Sequence, residues 1–260
     1  MRSATIAALL VACTGLARAG VVATNTEAPG PGMAASGAIT INLDTPAGDG
    51  QDAADKATLN QAARLIEAGQ PQAAIDALAP LVAALEKRHG DSKQQLFCAH
   101  SQAEALLYMA LAAAAKHDAT ALDGDFCDAY FVRGFAEIDL GRADAAEADY
   151  TRALALAPNN PHYLSEMGEL HSSRHDWDGA LAFFQRARDA APAFSERGKD
   201  KAELARALRG IGYVDVELGK LDEAEALYRR CLEIDAGDQK AQGELGYVLQ
   251  LKARQAGQSR

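Results

Sequence analysis

The sequence predicts an all-α protein, a solenoid of stacked antiparallel helix pairs, and three observations predict it. Alanine is abundant, aromatic residues make up only 6% of the 260, and β-branched runs are scarce, a composition that favours closely packed helices over sheets. Beyond Lys56 the apolar residues recur at helical spacing in segments of about 12 to 20 residues, separated by Gly, Asp, Pro and Asn. One pattern of small and aromatic residues also returns at a fixed interval, with 34 residues between Gly134 and Gly168, and such internal repeats are the strongest fold signal a sequence carries.

The elements follow in chain order. Residues 1–19 read as a secretory signal, with Arg2 as its charge, Ala4 to Ala12 as a short apolar segment and Ala17-Arg18-Ala19 as the small-residue cleavage site. The apolar segment is shorter than the roughly 20 residues a membrane-spanning helix needs, and no later stretch qualifies, so a mature chain without a transmembrane segment is expected, periplasmic or secreted. A second reading stays open: Leu10-Val11-Ala12-Cys13 resembles a bacterial lipobox, which would make the protein a membrane-anchored lipoprotein through Cys13. Cleavage after residue 19 removes two arginines and moves the net charge from −10 to −12. A surface of that sign repels phosphate backbones, which excludes nucleic acid as a partner.

Residues 20–56 read as a flexible linker, interrupted by Pro29-Gly30-Pro31-Gly32 and Gly48-Asp49-Gly50. Within it Gly37 to Leu43 alternates like a short strand, but a lone strand is rarely stable. Residues 57–127 read as degenerate or irregular helical repeats. They include a long helix over Lys93 to Lys116, with Leu96, Phe97, Ala103, Leu106, Leu107 and Leu111 in its apolar stripe, and a turn-rich connection over Asp118 to Asp125.

Three clear copies of the pattern follow. Residues 128–160 carry Tyr130, Gly134, Gly141, Ala146, Tyr150, Ala153 and Pro158. Residues 161–194 place Leu164, Gly168, Ala180, Phe184, Ala187 and Pro192 at the same relative positions, and residues 205–238 place Leu208, Gly212, Gly219, Ala224, Tyr228 and Cys231 there. Ser195 to Leu204 are an insertion that extends the next helix or forms a loop before it. Residues 239–260 read as a C-terminal capping helix. The glycines and alanines mark where the two helices of a pair pass closely, the aromatics fill the space between successive pairs, and Pro158 and Pro192 end the second helices.

At these residues the sequence resembles the tetratricopeptide repeat, whose pattern is an aromatic or Leu, then Leu-Gly, a turn Gly, Ala, an aromatic, Ala and Pro within about 34 residues. Residues 55–88 match more loosely, through Gly69, Ala74 and Leu78. Arg133 stands where Leu is usual, His175 where the turn Gly is usual, and Ala236 where Pro is usual. The resemblance implies a right-handed superhelix whose first helices line a concave groove that receives a protein or peptide partner. Carried over position by position, the partner-binding residues are Phe131, Phe135 and Asp139, then Ser165 and Glu169, then Arg209 and Tyr213, and Tyr247 in the cap. The members of the family that clamp a terminal carboxylate use positions that here hold Phe131, Phe135, Glu166, Arg206 and Gly210, so only Arg206 suits such a ligand and it is disfavoured.

No catalytic constellation emerges, and the reading is of a non-enzyme without cofactors. There is no GxSxG, phosphate loop or nucleophile with a matching base. His171 and His175 stand four apart but lack the glutamate of HExxH, and with His162 they read as solvated histidines, so no metal is expected. Glu166 and Glu169 read as surface groups. The expected function is an exported scaffold that holds a protein or peptide partner. The alternative is an accessory subunit of an envelope enzyme or secretion complex whose chemistry lies on another chain. Cys98, Cys127 and Cys231 have no metal or redox spacing. In an oxidising compartment Cys98 and Cys127, each near the start of a predicted helix, are the best pair; otherwise all three are thiols, with Cys231 buried.

Overall fold

The computed structural model describes residues 39–41 and 51–258; the signal, the lipobox cysteine and most of the linker lie outside them. Among the described residues there are ten helices and three short strands. They divide into two compact units, residues 1–149 and residues 150–260, and the boundary falls inside helix α5 (Ala143–Leu156).

The first unit opens with a helix hairpin. Helix α1 (Gln51–Glu67) begins inside the segment expected to be linker, and α2 (Pro71–His89) carries Pro71 in its first turn, where a missing N–H costs nothing. Gly69 turns the chain between them with a φ of 71°. The segment that follows departs from expectation. In place of one helix over Lys93 to Lys116 and a turn after it, the chain forms strand β2 (Gln95–Ala99), helix α3 (Gln102–Ala114) and strand β3 (Ala119–Asp123). Strand β1 (Ile39–Ile41) adds to the far side of β3, giving a three-stranded parallel sheet in the order β1-β3-β2 with Ile39 opposite Ala119. The short strand in the linker therefore has a partner, and the helical protein carries a small βαβ insertion.

The physics of the insertion is visible in its side chains. Phe97 and Ala99 of β2 and Ala119 and Ala121 of β3 are buried, and short strands buried on both faces read as apolar runs without alternation. Tyr108 stacks flat on Phe97, ring centroids 4.8 Å apart, and with Ala105, Met109 and Ala112 forms the buried face of α3. Ser101 caps that helix by accepting from the Glu104 N–H, while the Glu104 carboxylate accepts from the His100 N–H at 2.7 Å. These two bonds, one at the cap and one at the residue before it, fix the turn from β2 into α3.

Helix α4 (Asp125–Asp139) packs on α1 and α2. Tyr130 donates its hydroxyl to Glu86 of α2 at 2.7 Å. Arg133, the departure from the repeat pattern, donates twice to the buried carboxylate of Asp149, at 2.7 and 2.6 Å. Cys98 and Cys127 form a disulfide with sulfurs 2.11 Å apart, joining β2 to the first turn of α4. Cys98 thus lies on a strand and not near a helix start.

The second unit holds α6 (Pro161–Ser173), α7 (Trp177–Phe194), α8 (Asp200–Glu217), α9 (Leu221–Ile234) and α10 (Gln239–Gln258). Asn160 caps α6 by accepting from the N–H groups of His162 and Tyr163. Pro192 does not end α7, which runs two residues past it. The insertion divides, with residues 195–199 in a loop and 200–204 extending α8. His175 occupies the left-handed turn with φ 58°, as Gly219 does at 75° in the next repeat, so it takes over the glycine's conformation at a steric cost of roughly 1–2 kcal/mol.

The glycines of the repeat face aromatics more than alanines. A Cβ on Gly168 would lie 2.8 Å from the ring of Phe184, and one on Gly212 would lie 3.0 Å from that of Tyr228. Gly210 also abuts Phe184, so that ring is wedged between the first helices of two successive repeats. Tyr228 and Val248 then continue the core to α10.

A disulfide closing a loop of 29 residues is expected to contribute about 3 kcal/mol by restricting the unfolded chain. The double substitution Cys98→Ala with Cys127→Ala should lower the stability measured by urea denaturation by that amount. Addition of reductant should then change the native protein and leave the double variant unaffected.

Candidate functional site

In the second unit α6 touches α8 and α8 touches α10, which places the first helices of the repeats side by side on one surface. The residues facing out along it come from α8 and α10 at matching positions. Tyr213 is 42% exposed and Tyr247, one repeat later, is 49% exposed. The Trp177 ring meets Tyr213 edge-on at 6.3 Å, which steadies one side of it. A side chain on Gly243 or Gly246 of α10 would meet nothing within 4 Å; Gly246 stands where Gly212 meets Tyr228 in the preceding repeat, so its open side is the one a following helix would cover.

The charged residues of the same surface are engaged with one another. Arg206 of α8 donates to Glu169 at 3.0 Å and to Glu166, and its Nη1 lies 2.8 Å from Nδ1 of His162. That same Nδ1 lies 3.2 Å from the carboxylate of Glu203, so it can accept from Arg206 or donate to Glu203, one at a time. Burial works against the Arg206 charge, but Glu166 and Glu169 outweigh it and raise the group further above its ordinary value. Burial likewise opposes ionisation of Glu203, yet His162, Arg206 and Lys199 hold it below the usual carboxylate range. Arg209 pairs with Asp238, whose other oxygen accepts from the Ala241 N–H at the start of α10.

These contacts sort the residues singled out in the sequence. Glu169, Arg209, Tyr213 and Tyr247 share the first-helix surface of the second unit. Ser165 lies on α6 but is fully buried, its hydroxyl without a partner among the described residues, so it does not face a ligand. Phe131, Phe135 and Asp139 lie on α4 in the first unit, the two rings half-buried and Asp139 exposed at the helix end. Partial burial raises the Asp139 carboxyl above the usual range. Glu166 is buried and bound to Arg206, which corrects its reading as a surface group. Two histidines expected to be solvated are engaged as well: His162 meets Arg206, and Nδ1 of His171 lies 2.7 Å from the Asp176 carboxylate. Glu203, Trp177 and Asp238 carry no motif that marks them in the sequence, and their roles follow from cross-helix packing.

Cys231 is buried on α9, with its Sγ 3.5 Å from the Ala205 carbonyl, and burial pushes its thiol up to about 11. A thiol so placed is a packing residue and a poor nucleophile.

Two family models describing the tetratricopeptide repeat match the chain, one over residues 127–160 and one over residues 161–236. Residues 127–236 belong to the tetratricopeptide-repeat family. Solved structures agree on the fold. The PilF of Pseudomonas aeruginosa superposes with a TM-score of 0.54 at 14% identity, covering 79% of this chain and 72% of its own. The MamA of Desulfovibrio magneticus RS-1, from residue 41 to its end, gives 0.50 at 18% identity, covering 76% and 85%. The first repeat domain of Spaghetti (RPAP3), solved with the HSP90 peptide SRMEEVD, is similar over 51% of this chain and 99% of its own at 21% identity, with a TM-score of 0.44. No curated protein sequence matches. Residues 127–236 thus carry tetratricopeptide repeats, and the βαβ insertion lies before them in the chain.

Because Arg206 is buried among carboxylates, Arg206→Met should destabilise the protein by about 3 kcal/mol, the cost of leaving buried charges unpaired. Glu169→Gln, at the exposed rim of the network, should cost less than about 1 kcal/mol. Urea denaturation of the two variants checks this, and equal losses would contradict the network as drawn.

Proposed function

We propose that this protein is an exported scaffold that holds a protein or peptide segment against the first-helix surface of α6, α8 and α10, without catalysing a reaction. The observation that carries the reading is the pair of exposed tyrosines, Tyr213 and Tyr247, repeated at one position of successive first helices. Tyrosine offers a large apolar contact with a polar end at low entropic cost, which suits it to recognising an extended chain. Export is supported by the signal-like residues 1–19 and by the disulfide, which persists in an oxidising compartment. The mature form is either free in the periplasm or outside the cell, or anchored by a lipid on Cys13; the mass of the N-terminal peptide from cells distinguishes a chain starting at Gly20 from a lipid-modified Cys13.

The ligand's chemistry follows from the charges. The arginines of the surface already serve Glu166, Glu169 and Asp238, so a terminal carboxylate finds neither Arg206 nor Arg209 uncommitted. The partner is read as an internal, uncharged or aromatic-bearing segment, and nucleic acid is disfavoured by the acidic balance of the chain.

Capture from envelope extract with the native chain and with Tyr213→Ser plus Tyr247→Ser tests the reading. The account expects a partner that the native chain retains and the double variant loses, with helix content unchanged. A partner retained equally by both places binding elsewhere. A synthetic peptide from the captured partner should bind equally well as free acid and as amide, whereas a marked preference for the free acid would contradict the assignment of the arginines.

A further inference from the structure

Two links tie the turn between β2 and α3 to the first turn of α4. One is the Cys98–Cys127 disulfide. The other is His100, which stands between the end of β2 and Ser101, the cap of α3, with its side chain only 15% exposed. Its ring lies over Gly124, where an added Cβ would fall 2.5 Å from it, so glycine is what leaves the ring its place. Nδ1 lies 3.4 Å from the Glu104 carboxylate of α3, and Nε2 lies 3.2 Å from the Asp128 carboxylate of α4.

A neutral imidazole carries one donor and one acceptor, whereas an imidazolium donates from both nitrogens. With a carboxylate at each nitrogen, a neutral ring would set its lone pair against an anion, and only the charged ring satisfies both. The carboxylates need that charge in turn. Glu104 is buried, and its Oε1 has no hydrogen-bond partner among the described residues. Burial works against the charge on the ring, but Asp128 and Glu104 outweigh it and hold the group well above its ordinary value.

The other charges of the surrounding elements are placed differently. Lys56 of α1 pairs with Asp123 of β3 at 3.2 Å, and β1 and β2 carry no charged side chain. On α2, which packs against α4, Glu86 and Arg88 bind Tyr130 and Asp55, and His89 meets the ring of Phe126. Asp125 of α4 is the second group that titrates here. Burial and the neighbouring Asp123 charge push its carboxyl up to about 7, with Lys56 opposing and Asp128 adding to the rise.

We propose that His100 is an imidazolium clasp that docks the βαβ insertion on α4 and opens as the surroundings turn alkaline. Discharge of the ring leaves Glu104 facing Asp128 with no cation between them, a cost that favours separation of the two elements, while the disulfide keeps them tethered. A basic group raised on folding contributes stability that is fully present below its unfolded value, about 6.5 for histidine, and that is lost as pH rises through the folded value. A carboxyl raised on folding, as Asp125 is, loses its share between the ordinary carboxylate range and about 7, so the two groups act in successive windows. The clasp lies in the first unit and shares no residue with the tyrosine surface, so it stands or falls independently of the proposed partner.

Amide hydrogen exchange of the full chain, read as protection relative to the unfolded amide at each pH, tests the clasp together with an NMR titration of the His100 ring. The ring should remain charged at pH 7. Protection of β2 and of the first turns of α3 and α4 should fall by up to about tenfold per pH unit above about 6.5 until the ring is discharged. His100→Gln should lower that protection at neutral pH and abolish its dependence, and Asp125→Asn should leave the dependence above pH 7 in place. Asp128→Asn should move the ring's midpoint down, and it decides the question alone where His100→Gln does not fold. A ring that discharges at or below pH 6.5, a midpoint that Asp128→Asn leaves unmoved, or a pH dependence that His100→Gln retains or Asp125→Asn abolishes overturns the proposal.

Discussion

The second unit depends on one ring. Phe184 projects from α7 into a space bounded by Gly168 of its own repeat's first helix and Gly210 of the next, and neither glycine position has room for a methyl group. The ring therefore sets how closely α6 and α8 can approach α7, and through that the spacing of the first helices on which Tyr213 and Tyr247 stand. In the following repeat Tyr228 has the same role, against Gly212 and near Val248 of α10. Interiors are packed too densely to absorb a misplaced ring without shifting helices, so the geometry of the proposed binding surface is inherited from these contacts.

Polar chemistry then decides what kind of surface it is. Burying Arg206 would be prohibitive alone, and Glu166, Glu169 and His162 make it tolerable. Arg206, the one residue at the family's carboxylate-clamp positions that would suit such a ligand, is used internally to hold α8 to α6. Arg209 is committed to Asp238 in the same way. With these cations occupied, the surface presents the aromatic area of Tyr213 and Tyr247, which favours shape and apolar contact over charge recognition.

Much of the repeat region was legible because its constraints are periodic. The 34-residue spacing of Gly134 and Gly168, the alanine and aromatic positions and the left-handed Gly219 all follow from one hairpin geometry used repeatedly. Even departures had local reasons that the structure supplies: Arg133 answers Asp149, and His175 tolerates the left-handed turn. The βαβ insertion was illegible because Leu96 and Phe97 fit a helical stripe as well as a buried strand, and five residues are too few for periodicity to separate the two. The spacing of Ser101 and Glu104 did mark a helix start at Gln102, and it was the one signal that could have divided the segment. Site residues were harder. Tyr213 and Tyr247 came from positional matching alone, while the burial of Ser165 and the internal use of Glu166 depend on cross-helix contacts that no single segment encodes.

The coupling of successive repeats through Phe184 is most directly tested by amide hydrogen exchange on Phe184→Ala, a truncation that should cost about 3–5 kcal/mol. The account predicts that α6, α7 and α8 lose protection together, because the ring is shared by two hairpins. Loss confined to α7, with α6 and α8 protected as before, would show that the first helices hold their spacing without it and would contradict the account.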